Sequence, residues 1–104
     1  MSSPSALQAF ARVLGLGPKG ELWCVEVKSC RADFLSDGKW PDYLDWCDRL
    51  YFAVPEGFPD ELLPAEHGLI RADGWGGEVL RHGLEARLAA ARRKAVTLRF
   101  ARLA

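Results

Sequence analysis

Between Glu21 and Lys28 a short apolar run, Leu22–Val25, passes into the alternation Val25-Glu26-Val27-Lys28, which reads as a strand. Side chains of a strand project to opposite faces in turn, so Trp23, Val25 and Val27 share one face and Leu22, Cys24, Glu26 and Lys28 the other. The strand therefore ends with a carboxylate and an ammonium side by side. Burying either charge alone is costly, so Glu26 and Lys28 must pair, bind something, or reach water.

The flanking pattern supplies the other elements. Gly17-Pro18-Lys19-Gly20 has turn chemistry and predicts a hairpin between Arg12–Leu16 and Glu21–Lys28. The apolar run from Ala6 is read as a short helix that gives way to the first of these strands. Ser29 is a good N-cap for a short helix through about Leu35, which Asp37-Gly38 breaks. Trp40–Cys47 reads as a second helix, with Pro41 in its first turn and Trp40, Tyr43 and Trp46 along one side. Such an aromatic stripe is read as core ahead of a base-stacking platform. Arg49–Val54 is apolar without alternation, as expected of a mid-sheet strand buried on both faces.

Pro55, Pro59 and Pro64 predict a loop up to Glu66, with one helical turn at Asp60–Leu63. His67–Ala72 and Glu78–Arg81 are expected to form a last pair of strands, joined by Asp73-Gly74-Trp75-Gly76-Gly77. Gly83 is read as the cap of a long helix from Leu84, with Leu84, Leu88, Ala91, Ala95 and Leu98 as its apolar stripe. The order hairpin, helices, strand, hairpin, helix implies an α/β or α+β chain with a mixed sheet.

Composition narrows this. With 104 residues, 49% of them hydrophobic, the chain is expected to be one domain with a modest core. It holds no apolar run of about 18 residues and no basic-then-apolar start, so membrane and export roles are not expected and a cytoplasmic location is. Cys24, Cys30 and Cys47 are odd in number and lack a metal spacing, which implies reduced thiols. Cys30 is read as buried and inert, and a zinc site from the cysteines and His67 is disfavoured. His67 and His82 are read as ordinary strand-end or loop histidines. The formal net charge of +0 hides a polar molecule: nine acids face two bases over residues 33–66, and seven bases face one acid over residues 81–104. The basic end would attract a polyanion, or simply be the solvated face of a helix.

Glu26 and Lys28, two apart on a strand, suit metal-assisted phosphodiester cleavage. A carboxylate can hold Mg²⁺ through hard oxygens, and an ammonium can orient water and offset transition-state charge. Alone, Glu-x-Lys is a common pair, and an ion pair at a strand end is the plainer reading. A longer set of words changes the balance: Val25-Glu26-Val27-Lys28-Ser29, Ala32-Asp33-Phe34, Lys39-Trp40-Pro41-Asp42-Tyr43, Cys47-Asp48-Arg49-Leu50-Tyr51-Phe52-Ala53-Val54, Gly68-Leu69-Ile70 and residues 90–101. From about Gly17 onward this chain resembles the MmcB-like family of bacterial DNA repair proteins, itself similar to the PD-(D/E)XK nuclease superfamily. The resemblance implies a restriction-endonuclease-like mixed sheet flanked by helices, shortened here at the N-terminus. It also implies a DNA substrate, Mg²⁺ or Mn²⁺, and Glu26 and Lys28 as the catalytic pair with Glu26 on the metal.

One position departs from that pattern. Where the superfamily carries an aspartate on the preceding strand, fourteen residues before Glu26, this chain has Arg12. A guanidinium cannot ligate Mg²⁺ and would form a salt bridge with Glu26 instead. Asp33 and Asp37 are candidate substitute ligands, or helix-start and surface acids. Lys39, Arg92, Arg93 and Lys94 are candidate contacts to DNA phosphates, and Tyr43 either touches phosphate or packs. A metal-dependent endonuclease, a DNA-binding module without catalysis, and a subunit that meets other repair proteins through Trp40–Trp46 or Trp75 all remain open.

Overall fold

The turn after Leu16 folds back on Gly20, whose φ of 80° is the left-handed backbone that glycine adopts freely. It joins β1 (Arg12–Leu16) antiparallel to β2 (Leu22–Val27), with Arg12 opposite Glu26 and Leu14 opposite Cys24. This computed structural model describes residues 12–103, and side chains as far as residue 98; the helix expected from Ala6 lies outside the described residues.

Beyond the hairpin the sheet continues as β3 (Arg49–Val54), β4 (Gly68–Ala72) and β5 (Gly77–Arg81), in spatial order β1-β2-β3-β4-β5. β3 lies parallel to both β2 and β4, and β5 closes the other edge antiparallel to β4. The result is a small α/β chain built on a five-stranded mixed sheet. The unalternating run Leu50–Val54 is buried throughout, because a central parallel strand has a packed layer or close neighbours on each side.

One face of the sheet carries the main core: Cys24, Leu50, Phe52, Val54 and Leu69, joined by Cys47, Phe58 and Leu63. Helix α1 (Arg31–Ser36) and a 3-10 helix at Trp40–Trp46 cover this face. Phe34 and Trp40 both stand edge-on to the fully buried Phe52 ring, at centroid distances of 5.5 and 5.1 Å. Edge-to-face packing of this kind adds to the burial of apolar area. A second 3-10 turn spans Asp60–Leu62, where one helical turn is expected. On the opposite face Trp23 stacks on Tyr51 at 4.3 Å, and the Tyr51 hydroxyl lies 2.7 Å from His82 Nδ1.

Several local expectations are corrected. Cys30, not Ser29, is the N-cap of α1, and its thiol is exposed rather than buried. The aromatic segment from Trp40 is 3-10 rather than α-helical, and its three-residue turn suits the Trp40, Tyr43, Trp46 spacing. Helix α2 runs over Ala90–Leu103, not from Leu84. The amides of Leu84, Ala86 and Leu88 are taken in turn by Glu66 O, Asp48 O and Asp48 Oδ1, at 2.8 to 2.9 Å, so this stretch is held open by tertiary bonds. Among the described side chains of α2, Val96 is the buried one, while Leu84 and Leu98 from the expected stripe are exposed.

Gly83 does not cap the helix; it is a point of close approach. A Cβ there would lie 2.8 Å from Leu50 O and 2.9 Å from Gly68 N, both backbone atoms that cannot swing aside. Gly83→Ala is therefore expected to cost about 1–3 kcal/mol of stability, measured by urea unfolding. A neutral result would show that the crossing segment can shift without loss.

Candidate functional site

The register of the hairpin builds the site. Because Arg12 is opposite Glu26, the two side chains emerge on the same face of the sheet, and Arg12 Nε donates to Glu26 Oε1. Glu26 is fully buried; Lys28, one residue past β2, is only 3% exposed. The strand alternation read from the sequence thus places both on the covered face. Lys28 Nζ lies 3.7 Å from Glu26 Oε2 and donates to Asp37 Oδ2 at 2.5 Å.

Asp37 ends α1 and turns back toward the strand. Its Oδ1 accepts the Lys39 amide at 2.8 Å, and its Oδ2 also lies 3.4 Å from Arg12 Nη2. Partial burial would raise the Asp37 carboxyl, but the Lys28 hydrogen bond, the Lys39 amide and the neighbouring positive charges outweigh it, so its pKa sits below the ordinary value. Burial works against the charge on Arg12 as well; the hydrogen bond and charge of Glu26, with Tyr43 and Asp37, reverse this and hold the guanidinium firmly protonated. The Arg12 guanidinium also rests over the Tyr43 ring, 3.7 Å from its centroid.

Two carboxylates and two cations thus form one neutral cluster; Arg12, Lys28 and Asp37 line a cleft of about 570 Å³ together with Asp33, Ser36, Lys39 and Tyr43, while Glu26 lies beneath it, fully buried. Asp33, the other candidate ligand, reaches back to the Ser29 amide and hydroxyl at 2.8 and 3.2 Å, which serves the start of α1. Of the cluster's carboxylate oxygens only Glu26 Oε2 has no hydrogen-bond partner.

These residues do not fit a resident Mg²⁺ or Mn²⁺. Glu26 Oε1 is taken by Arg12, Asp37 is taken by Lys28 and the Lys39 amide, and a guanidinium fills the side from which a third carboxylate would come. Among the described residues no group of three His, Cys, Asp or Glu side chains is placed to hold an ion.

The proposed phosphate contacts are not brought together. Lys39 lies at the cleft, exposed. Arg92 lies over the Trp46 ring at 4.9 Å, and Lys94 is exposed along a groove beside α2 that also holds Arg87. Arg93 is occupied: its Nη1 and Nη2 donate to the two oxygens of Asp48 at 2.8 and 2.6 Å. Asp48 is 2% exposed and also accepts the amides of Leu22 and Leu88. Burial opposes its ionisation, yet Arg93 and the two amides hold its pKa down at about 2. Sequence reasoning gave Asp48 no role beyond the count of nine acids over residues 33–66 and the word Cys47–Val54, although its place immediately before a buried strand was a signal that it needed a partner.

Comparison with known proteins agrees with the words that carry the resemblance. No curated protein matches the chain. A protein of unknown function from Silicibacter pomeroyi is 54% identical in sequence, with a TM-score of 0.81; the match covers 86% of this chain and 62% of that one. The chain thus spans under two thirds of that protein's length. The family described as DNA repair protein MmcB-like matches residues 5–104. Covering nearly the whole sequence, including the β1–β2 hairpin and the cleft that it floors, that match makes the chain a member of the MmcB-like family of DNA repair proteins.

Proposed function

We propose that this chain serves DNA repair as a cytoplasmic, non-catalytic DNA-binding module on a restriction-endonuclease-like, PD-(D/E)XK type of frame. The observation that carries the reading is Arg12 seated on Glu26, which supplies internally the positive charge that a cleavage site takes from a metal. Family membership supports a DNA-related role, and the exposed Lys39, Arg92 and Lys94 supply cations for phosphate contact. Arg93 is left out of this set because Asp48 already neutralises it.

The test is binding of duplex and single-stranded oligonucleotides across a salt series. The logarithm of the affinity is expected to fall linearly with the logarithm of salt concentration. Each of Lys39→Glu, Arg92→Glu and Lys94→Glu removes one cation from a phosphate, so each is expected to make that slope shallower by about one. The affinity itself is expected to survive Glu26→Ala, provided circular dichroism shows the variant folded. Binding indifferent to salt would defeat the reading.

A second reading, a Mg²⁺- or Mn²⁺-dependent DNA endonuclease using Glu26 and Lys28, has only the unpartnered Glu26 Oε2 to build on and requires Arg12 to leave Glu26. It expects cleavage that disappears in Glu26→Ala and Lys28→Ala. Failure of the intact chain to cut DNA with either metal removes it.

A further inference from the structure

The carboxyl ends of the parallel strands β2, β3 and β4 lie along one edge of the sheet, at Val27, Val54 and Ala72. The Arg12, Glu26, Lys28 and Asp37 cluster stands at this edge, and so does the tip of the β4–β5 hairpin. Ligands of open α/β sheets are met at such edges. At the hairpin tip Trp75 is 98% exposed. A large apolar ring left wholly in water on a hydrogen-bonded turn is available for contact with a ligand.

The turn is built to present that ring. Asp73 Oδ1 accepts the amides of Trp75 and Gly76 at 2.7 and 3.0 Å, and the Asp73 amide donates to Gly76 O at 2.9 Å. Gly74 and Gly76 flank the ring with no side chains, and even a Cβ at either position would meet nothing within 4 Å. Both ring faces are therefore free, and the tip lacks the collar of neighbouring side chains that surrounds a protein-binding anchor. A bare, pre-positioned aromatic plane suits stacking on another plane.

We propose that Trp75 is a base-stacking side chain that engages single-stranded or unstacked DNA along this edge. The inference rests on the DNA-binding reading and deepens it by naming the form of nucleic acid. Two strand spacings, about 10 Å, separate β2 from β4, so one strand of DNA can meet the cleft and the hairpin together. Asp60 is neutralised by Arg71 and Asp37 by Lys28, but Asp73 keeps its charge while it accepts the turn amides, and Glu56 and Glu78 are further exposed acids nearby. Attraction at the tip thus comes from stacking rather than charge, and the contribution of Trp75 is insensitive to salt.

The experiment uses the full chain, an oligothymidylate of about twenty nucleotides and the matching duplex, with intrinsic tryptophan fluorescence and anisotropy as readouts. The intact chain is expected to prefer the single strand and to lose fluorescence on binding. Trp75→Ala is expected to weaken that binding about tenfold or more by the same factor at low and high salt, with Trp75→Phe partly restoring it. Because Trp75 touches no core residue, circular dichroism of both variants is expected to match the parent. If the parent binds and Trp75→Ala binds equally well, the stacking role is overturned while the DNA reading stands. A loss that shrinks as salt rises, or a preference for duplex, also overturns it. If the parent binds neither DNA, the reading and the inference fall together.

Discussion

Asp48→Ala is expected to lower the stability of the folded chain by about 1–3 kcal/mol, chiefly the cost of leaving the Leu22 and Leu88 amides without their acceptor, since the Arg93 guanidinium is partly exposed and can turn to water. Asp48 is the point where three segments meet: it accepts the Leu22 amide from the start of β2, the Leu88 amide from the segment before α2, and both terminal nitrogens of Arg93 from α2 itself. Urea unfolding followed by circular dichroism measures the loss, and Arg93→Ala provides the partner arm of a double-mutant cycle. A loss under about 1 kcal/mol would show that water or a neighbouring group replaces the carboxylate.

The same carboxylate gives a pH dependence of defined sign. Its folded pKa of about 2 lies below the ordinary aspartate value of 3.8, so its contribution is fully present above that value and is lost as pH falls toward 2. The difference corresponds to roughly 2 kcal/mol. Acid unfolding of the parent is therefore expected to steepen between about pH 4 and pH 2, and the steepening attributable to this group is expected to vanish in Asp48→Asn. Asp37, also held below its ordinary value, contributes with the same sign.

Arg12→Asp is the second large change expected, and it acts in two directions. Without metal it removes the cation from the fully buried Glu26 and sets a further carboxylate beside Glu26 and Asp37, so the melting temperature is expected to fall well below that of the parent. With Mn²⁺ or Mg²⁺ it is expected to rise again, because three carboxylates then face one ion. Saturation at about one hundred times Kd restores about 2.7 kcal/mol. The parent, whose site is already neutral, is expected to show no such shift. Thermal melts of both chains with and without each ion decide the matter: equal responses would mean that Arg12 does not govern cation binding.

Much of this site was readable before any coordinates. The glycine-rich turn after Leu16 predicts the hairpin, and the resemblance to the superfamily pattern sets Arg12 beside Glu26; the observed register places the two opposite each other and pairs them. Strand alternation likewise assigns Glu26 and Lys28 to one face, and the unalternating Leu50–Val54 run identifies the central strand. These features depend on neighbours close in sequence or on a period of two, where local geometry leaves few alternatives.

Other features depend on residues far apart, and no local pattern carries them. Arg93 lies in a run of three basic residues that reads as a phosphate contact, yet it is committed to Asp48, 45 positions earlier. The start of α2 is decided by amides of residues 84, 86 and 88 bonding to Glu66 and Asp48, which override helix propensity between Leu84 and Ala89. Asp33 and Asp37 are equivalent acids on paper; the turn at the end of α1 sends Asp37 to Lys28 and leaves Asp33 at the helix start.

Sequence by itself therefore determined the strands, the hairpin and the face shared by Glu26 and Lys28, because each follows from side-chain alternation and one short turn, while the resemblance to a known family pointed to Arg12 as the charge facing Glu26. Only the tertiary structure decided which bases stay free for a ligand, where the last helix begins, and that the cleft acids are already neutralised. Those outcomes turn on long-range charge pairs and backbone bonds, whose partners are chosen by the packed sheet and not by their neighbours along the chain.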